Sequence, residues 1–431
     1  MLVGWNSVRV SDLGKVVTGN TPPRKQPELY GNHTLFIKPT DINIDERYCL
    51  TPEECYSEAG FKKYKKSLIP KGSTCVVTIG SIGKKVIIAH DDIFINQAMN
   101  AVIPTESYDP FFVFYLLKLN LFQLKIADSG TASGRENVSK SSFSALKVTV
   151  PESKIIQSKI AAVLSAYDDL IENNLEQIKL IEEMAQITYE EWFVRLKFPG
   201  HEEVDIDSET GFPEGWSKRA LKEFCTAITD GTHDSPKPVE KGVPLATGKN
   251  ILNGFIDFSD TYLISQEDHE KIKKRSGVEE WDILFSNIGT LGNVGVVERD
   301  IEFSCKNVVI FKRKTGFECF LYTYLSNCYT KEKLDNQSSG VAQKFYSLKF
   351  IRGLEETLPK DELIMAFNDF TKPLYELKYS LKCQSKLLKE ARDILLPRLM
   401  TGTIDIEQVE LPEALLERIN NENNNNKINI G

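Results

Sequence analysis

The sequence predicts an α+β protein: two copies of a globular α/β domain separated by two long helices that pair as an antiparallel coiled coil. Three observations carry this reading. They are a self-similarity at a nearly constant offset, short β-branched runs punctuated by glycine in each copy, and two long stretches with an apolar stripe at heptad spacing.

Gly4-Trp5 recurs as Gly215-Trp216, Ile79-Gly80 and Gly83 as Ile288-Gly289 and Gly292, and Asp92-Ile93 as Asp300-Ile301. Tyr115-Leu116 recurs as Tyr324-Leu325, Gly130 as Gly340 and Pro151 as Pro359, and every separation lies between 208 and 211 residues. One such match means nothing; six in register mark a duplication. The order is domain, helix, domain, helix. Residues 1–150 make the first domain, 151–196 the first helical region and 197–211 a linker. Residues 212–358 make the second domain, 359–405 the second helical region and 406–431 a tail. At 431 residues the chain exceeds what a single core supports.

Within each domain the strands are the β-branched runs "STCVVTIG", "KKVIIA" and "MNAVIP", then "WDILFSNIG", "NVGVVE" and "NVVIFK". Each copy adds one aromatic helical stretch, "DPFFVFYLLKLNLFQLKIAD" and "FECFLYTYLSNCYTKEKL". Closely spaced strands with so little helix fit a compact α+β domain, not a doubly wound sheet. Gly80 with Gly83, and Gly289 with Gly292, sit between strand runs, where glycine permits a tight turn.

The first helical region carries Ile160, Leu164, Tyr167, Ile171, Asn174, Ile178, Ile181, Ala185, Thr188 and Trp192 in steps of three and four. The second carries Leu363, Phe367, Phe370, Leu374, Leu377, Leu381, Gln384, Leu388, Ala391 and Leu395 over an equal length. Helices of roughly 60 Å result, with Asn174 and Gln384 as polar seam positions that fix register. Pro373 is expected to kink or restart the second helix near Thr371. An antiparallel pair would place the two domains at opposite ends, related by a pseudo-twofold axis. The acidic, Gly/Pro-rich link "KFPGHEEVDIDSETGFPEG" reads as a surface return connection, and the Asn-rich end "NNENNNNKINIG" as disordered.

Charge is unevenly placed. Of the net −8, residues 151–211 carry 5 basic against 14 acidic residues, while residues 1–150 carry 18 against 14. A basic face on a domain is therefore compatible with the acidic total. Eight cysteines and five histidines are scattered without metal or redox spacing, so reduced thiols and no metal site are expected. No stretch approaches a membrane span, and "MLVGWNSVRV" lacks a leader's hydrophobic region, so a soluble, cytoplasmic chain is expected.

Catalytic motifs are missing. "GSIGKK" is too short for a phosphate loop and has Lys85 where the magnesium-binding hydroxyl belongs; the second copy lacks the lysine entirely, having Asn293. "NTPPRK" breaks the tetrad of an amino-methyltransferase. Asp369, Glu376 and Lys378 mimic a nuclease motif but fall on the predicted helix. Binding remains, and polar loops carry it. The candidates for DNA contact are Thr18, Asn20, Arg24, Lys25, Lys84, Lys85, Ser129, Thr131, Ser133 and Arg135 in the first copy. In the second they are Thr232, His233, Lys237, Asn287, Thr290, Asn293, Ser338, Ser339, Gln343 and Lys344. Lysine and arginine suit phosphates, while amides and hydroxyls can discriminate base edges. "FKKYKK" (61–66) mixes aromatic and basic residues but reads equally well as a solvated strand edge.

The stretch "SGTASGRENVSKSSFSALKVTVPESKIIQSKIAAVLSAYDDLIENN", with "EEWF", "PEGW" and the ending "LLKEARDILLPRLMTGTIDIE", resembles the specificity (S) subunits of Type I restriction-modification systems. The likeness covers nearly the whole chain. It implies two target-recognition domains that each read half of a bipartite, asymmetric site on double-stranded DNA, with the coiled coil as ruler. It implies a non-catalytic subunit that recruits two methyltransferase and two restriction (motor) subunits. S-adenosylmethionine, ATP and magnesium would belong to those partners and no cofactor to this chain. The second copy departs from the family's Pro-Pro-hydrophobic-Glu-Gln stretch, having "LPKDELIMAFN" where the first keeps Gln157, which leaves the start of the second helix open. A fused modification enzyme without recognisable motifs and a protein-binding scaffold are the competing readings. Unaided methyl transfer would favour the former, and the lack of any DNA affinity the latter.

A heptad inserted near Ile178 alone is expected to disturb helix pairing, whereas matched insertions in both helices should lengthen the recognised spacer. Modified-base sequencing of the host genome would read that spacer directly, and an unchanged spacing would deny the helices the ruler's role.

Overall fold

The computed structural model describes residues 4–44, 46–127, 136–299, 301–337, 345–417 and 419–420. It divides into two compact units, residues 1–173 with 384–431, and residues 174–383. Each unit therefore holds one domain and one half of each long helix.

The first domain is framed by β1 (Gly14–Thr18), β2 (Thr74–Val77), β3 (Val86–Ile88) and β4 (Met99–Pro104), ordered β1-β4-β2-β3. The second repeats it with β5 (Ala227–Asp230), β6 (Ile283–Phe285), β7 (Val294–Val296) and β8 (Val309–Lys312), ordered β5-β8-β6-β7. Register is copied too: Val76 faces Asn100 as Phe285 faces Val309. All residues of β2 and β6 are buried, which is why these strands read as continuous apolar runs. A parallel pair, Thr34–Ile37 with Phe94–Ile95, recurs as Val243–Ala246 with Ser304–Cys305. Finally Trp5–Arg9 pairs Lys147–Pro151, and Ser217–Ala220 pairs Glu355–Leu358, so each domain closes on itself just before its long helix.

The aromatic stretches are helices broken at an asparagine. Pro110–Leu119 ends at Asn120 before Phe122–Ile126, and Glu318–Ser326 ends at Asn327 before Cys328–Gln337. Phe112 through Leu117 are all buried, as expected of a helix covered on every side. "FKKYKK" forms no strand edge: Glu58–Tyr64 is a helix capped by Ser57, and it runs into a 3-10 turn at Lys65–Ser67. Phe61 and Tyr64 pack on Phe36, Tyr56 and Phe94, which anchors one helical face and leaves the lysines to solvent.

The long helices are α1 (Lys154–Tyr189), extended by a π-helical turn at Glu190–Val194, and α2 (Asp361–Met400). Gln157 fixes the start of α1. Its Oε1 accepts from Asp109 N at 3.0 Å and its Nε2 donates to Pro151 O at 3.1 Å, joining strand end, aromatic helix and long helix. In the second unit Asn368 takes over, its Oδ1 accepting from Cys319 N at 2.9 Å. The position that the sequence left open is thus filled from a later turn of α2.

Within the second unit the helices run antiparallel. Glu182 meets Lys378 at 2.6 Å, and Tyr189, further along α1, meets Phe367, further back on α2, with ring centroids 6.1 Å apart. Ile178, Ile181 and Leu381 form the seam there, with Leu374 half-buried beside them. In the first unit Leu164 and Ile171 are buried, Tyr167, Leu388 and Leu395 are half-buried, and Asp168 meets Arg392 at 2.5 Å. Two expected seam positions are corrected. Leu377 is 47% and Phe370 44% exposed, and the buried face of α2 falls on Thr371, Tyr375, Lys378, Ser385 and Arg392 instead. Hydropathy misplaces this face because its long cations are buried through pairing, not through apolarity. Gln384 is exposed as well, while Asn174 is buried as the seam requires. Pro373 does not restart the helix either, since α2 is continuous through it. Its ring is on the exposed face, where water can satisfy the carbonyl one turn back.

Two polar knots bind helices to domain. Asp168 accepts from Arg392 Nη1 and from the Tyr115 hydroxyl, each at 2.5 Å, and burial pushes the Tyr115 phenol well above its ordinary pKa. Lys378 reaches Glu182 at 2.6 Å and the Tyr322 hydroxyl at 3.3 Å.

The link after α1 is packed, not loose. Phe198, Phe193 and Phe212 surround Trp216 at centroid distances of 6.0–6.3 Å. Ile406, Leu411 and Ile419 of the tail join the first unit's core; residues 421–431, expected to be disordered, lie outside the described residues. All eight cysteines are free, and burial pushes the thiols of Cys75 and Cys305 up to about 12.

Asp168→Ala should cost about 3 kcal/mol in urea unfolding, because it leaves the buried Arg392 charge with only the exposed carboxylate of Asp393. Adding Arg392→Met should recover most of that loss.

Candidate nucleic-acid interface

The frame sheet brings the ends of β1 and β2 and the start of β4 together. Thr18 Oγ1 donates to Asn100 Oδ1 at 2.6 Å, and Asn100 Nδ2 donates to Thr78 Oγ1 at 2.8 Å. A short relay of hydroxyl, amide and hydroxyl thus crosses three strands. The chain then leaves β1 through Gly19, where a Cβ would lie 2.1 Å from Asn96 O. Asn20 follows with its main chain held by Ile95 O and by the Tyr56 hydroxyl, each at 2.9 Å, and its side chain exposed.

Next to this relay lies the glycine turn. Gly80 and Gly83 have φ of 88° and 70°, and Gly289 and Gly292 of 77° and 78°, so the left-handed region explains all four. Each turn also receives the returning end of a polar loop. Gly80 N donates to Glu136 O at 3.0 Å, and Val138 N to Thr78 O at 2.9 Å. In the second copy Tyr346 N donates to Asn287 O, and Asn287 Nδ2 to Tyr346 O, both at 3.0 Å. Ser129, Thr131, Ser133, Arg135, Ser338, Ser339, Gln343 and Lys344 lie outside the described residues.

Lys85 and Asn293 do the same work with different chemistry. Lys85 Nζ donates to Pro39 O at 2.7 Å, tying the turn to the 3-10 turn Pro39–Asp41. Asn293 Nδ2 donates to Ile251 O at 2.9 Å, beside the 3-10 turn Gly248–Asn250. Lys84 is exposed and meets no partner among the described residues. Arg24 pairs with Glu54 and lies over the Tyr30 ring, 5.0 Å from its centroid. That hydrogen bond holds the Glu54 carboxyl below its ordinary pKa. Lys25 beside it is exposed and unpaired among the described residues.

The second copy keeps the frame and changes the display. Register puts Asp230 where Thr18 stands and Val309 where Asn100 stands. His233 bridges Asp230 Oδ2 at 2.6 Å and Asn307 Oδ1 at 3.1 Å, with Arg275 Nη2 3.8 Å from Asp230. Thr232 is buried, its N–H on Cys305 O and its Oγ1 accepting from Asp234 N, so its side chain shapes the loop. Lys237 is exposed without a partner among the described residues, and Thr290 is exposed with its hydroxyl 3.2 Å from Ser286. Asn100, Thr78, Asp230 and Asn307 went unnoticed in the sequence. The one available signal was a polar residue inside an apolar strand run, as in "MNAVIP".

His269, Glu270 and Glu302 draw donor atoms together in the second domain. Their needs are already met: the His269 nitrogens face Ser304 Oγ at 2.9 Å and Glu302 at 3.1 Å, and Lys273 sits 2.9 Å from the same carboxylate oxygen.

A duplicated domain with one frame and two displays, each joined to a long helix, defines a class of paired recognition modules. Residues 2–183 match a family model described as Type I restriction modification DNA specificity domain. The MjaIX Type I restriction enzyme specificity subunit of Methanocaldococcus jannaschii is 24% identical over 415 residues, 94% of each chain. The HindI specificity subunit of Haemophilus influenzae is 29% identical over 182 residues, 42% of this chain and 39% of the relative. The crystal structure of a Type I S subunit from M. genitalium shares the fold, with a TM-score of 0.56 at 17% identity over 92% of this chain and 96% of that one. The chain is thus similar to Type I restriction-modification specificity subunits, over residues 2–183 by the family model and over nearly its whole length by the MjaIX relative.

Gly289→Ala should cost about 1–2 kcal/mol in unfolding free energy through backbone conformation alone, since a Cβ there meets nothing within 4 Å. A thermal or urea titration would read the loss.

Proposed function

We propose that this chain is the DNA-recognition subunit of a Type I restriction-modification complex. Its two domains read the two halves of an asymmetric, bipartite target on double-stranded DNA. Its helices recruit methyltransferase and restriction subunits, two of each. Catalysis belongs to those partners, together with S-adenosylmethionine, ATP and magnesium. The assembly works in the cytoplasm; no described helix is long and apolar enough to cross a membrane.

One observation carries the reading of two different half-sites. The same strand register puts a half-buried Thr18 in one copy where the other has Asp230, which His233 bridges to Asn307. A hydroxyl held from behind by the buried Asn100 amide offers a neutral group to base edges. A carboxylate and an imidazole offer a different set. Lys25, Lys84 and Lys237, exposed on the same domains, supply phosphate contacts, with Asn20 and Thr290 as further polar contacts.

The test is binding of DNA by the full chain assembled with its methyltransferase. Lys25→Ala and Lys84→Ala should weaken binding alike on all sequences, and each lost phosphate contact should flatten the salt slope by about 0.9. Asn20→Ala, which changes an exposed side chain of the first domain, should instead relax discrimination in one half-site only. Binding that ignores base changes in both halves would sink the proposal.

A further inference from the structure

Each domain is latched to its long helix by a buried cation, and the two latches have opposite polarity. In the first unit the cation is on the domain. Arg47 is only 5% exposed; its Nη2 lies 2.6 Å from Asp169 Oδ1 and 2.6 Å from Glu172 Oε2, and its Nε lies 3.0 Å from Glu172 Oε1. The guanidinium also covers Tyr48, 4.7 Å from the ring centroid. Burial works against this charge, and the hydrogen bonds to Glu172 and Asp169 outweigh it, so the Arg47 pKa lies above its ordinary value.

In the second unit the cations are on the helix. Lys378 and Lys382 of α2 sit 4.3 and 4.1 Å from the centroid of the Phe255 ring, and Lys382 pairs with Glu298 of the domain at 2.5 Å. The backbone is shaped for this approach. A Cβ on Gly254, at φ 76°, would lie 2.5 Å from Lys378 Nζ. The two latches occupy equivalent places in the duplication. Asp169 and Lys378 are 209 residues apart, and so are Arg47 and Ile256, the neighbour of Phe255.

We infer that these reversed latches key each recognition domain to its own helix, so the two domains cannot exchange positions in this chain. The first domain on α2 would face Arg47 with Lys378 and Lys382. The second domain on α1 would face Glu298 and the electron-rich face of Phe255 with Asp169 and Glu172. Both mismatches bury like charge or remove a cation from its ring. The keying is a property of the fold and holds whatever the domains read.

The test uses the full-length chain and urea unfolding. Asp169→Lys with Glu172→Lys gives the first helix the second helix's polarity and should lower the midpoint, as should Arg47→Glu alone. The triple variant should regain at least half of the summed loss; strictly additive losses would overturn the proposal. A second chain carries the first domain's sequence (5–151) in place of the second (217–358). Its midpoint should rise when Lys382→Glu is added, with Lys378 left on Glu182, and an equal or lower midpoint would also overturn the proposal. Where the copied chain folds in neither form, the triple variant decides.

Discussion

The architecture depends on charge removed from water between the two long helices. In each unit an acid of α1 meets a cation of α2, and a tyrosine hydroxyl from the domain's aromatic helix completes the knot: Asp168, Arg392 and Tyr115 in one, Glu182, Lys378 and Tyr322 in the other. Such groups are costly to bury and costlier to leave unpaired, so they penalise every register but one. Apolar contacts supply attraction along the stripe, while the knots select which turn faces which. They also account for part of the acidity of residues 151–211, some of which is spent inside the fold.

The domains separate scaffold from display. Strand order, register, the parallel pair and the left-handed glycines are shared, and they fix where the exposed side chains emerge. What emerges is free to differ, because Thr18 and Asp230 sit at strand ends whose backbone bonds do not depend on the side chain, and the buried residues paired with them, Asn100 and Val309, differ too. Lys85 and Asn293 show the reverse case, in which two unlike residues are used interchangeably for one carbonyl clamp.

Much of this was legible in the sequence because the duplication supplied an internal control. A glycine pair or a Tyr-Leu step seen twice at one offset constrains the fold in a way that a single copy does not. The helices were legible for the same reason, and α1 follows its apolar stripe closely. On α2 the stripe misled, since Leu377 lies outward and Lys378 inward; a hydropathy count has no means of knowing that an ammonium has found Glu182 and Tyr322. Pro373 misled for a related reason, as its cost depends on whether water reaches one carbonyl. The glycine turns of the interface could be found from type and spacing. The relay through Asn100 and the Asp230–His233 pair could not, because each joins residues far apart in sequence through strand register alone.

The first unit's core draws on Val10 and Leu13 near the start of the chain and on Leu396, Met400, Leu411 and Ile419 near its end. The second unit is continuous in sequence from 174 to 383. During synthesis the later domain can therefore close first, while the earlier one waits with part of its apolar surface uncovered until Leu396 through Ile419 have left the ribosome. A nonsense mutation just after codon 383 would for that reason injure the amino-terminal domain, and a chaperone would find its substrate in the part of the protein that was made first.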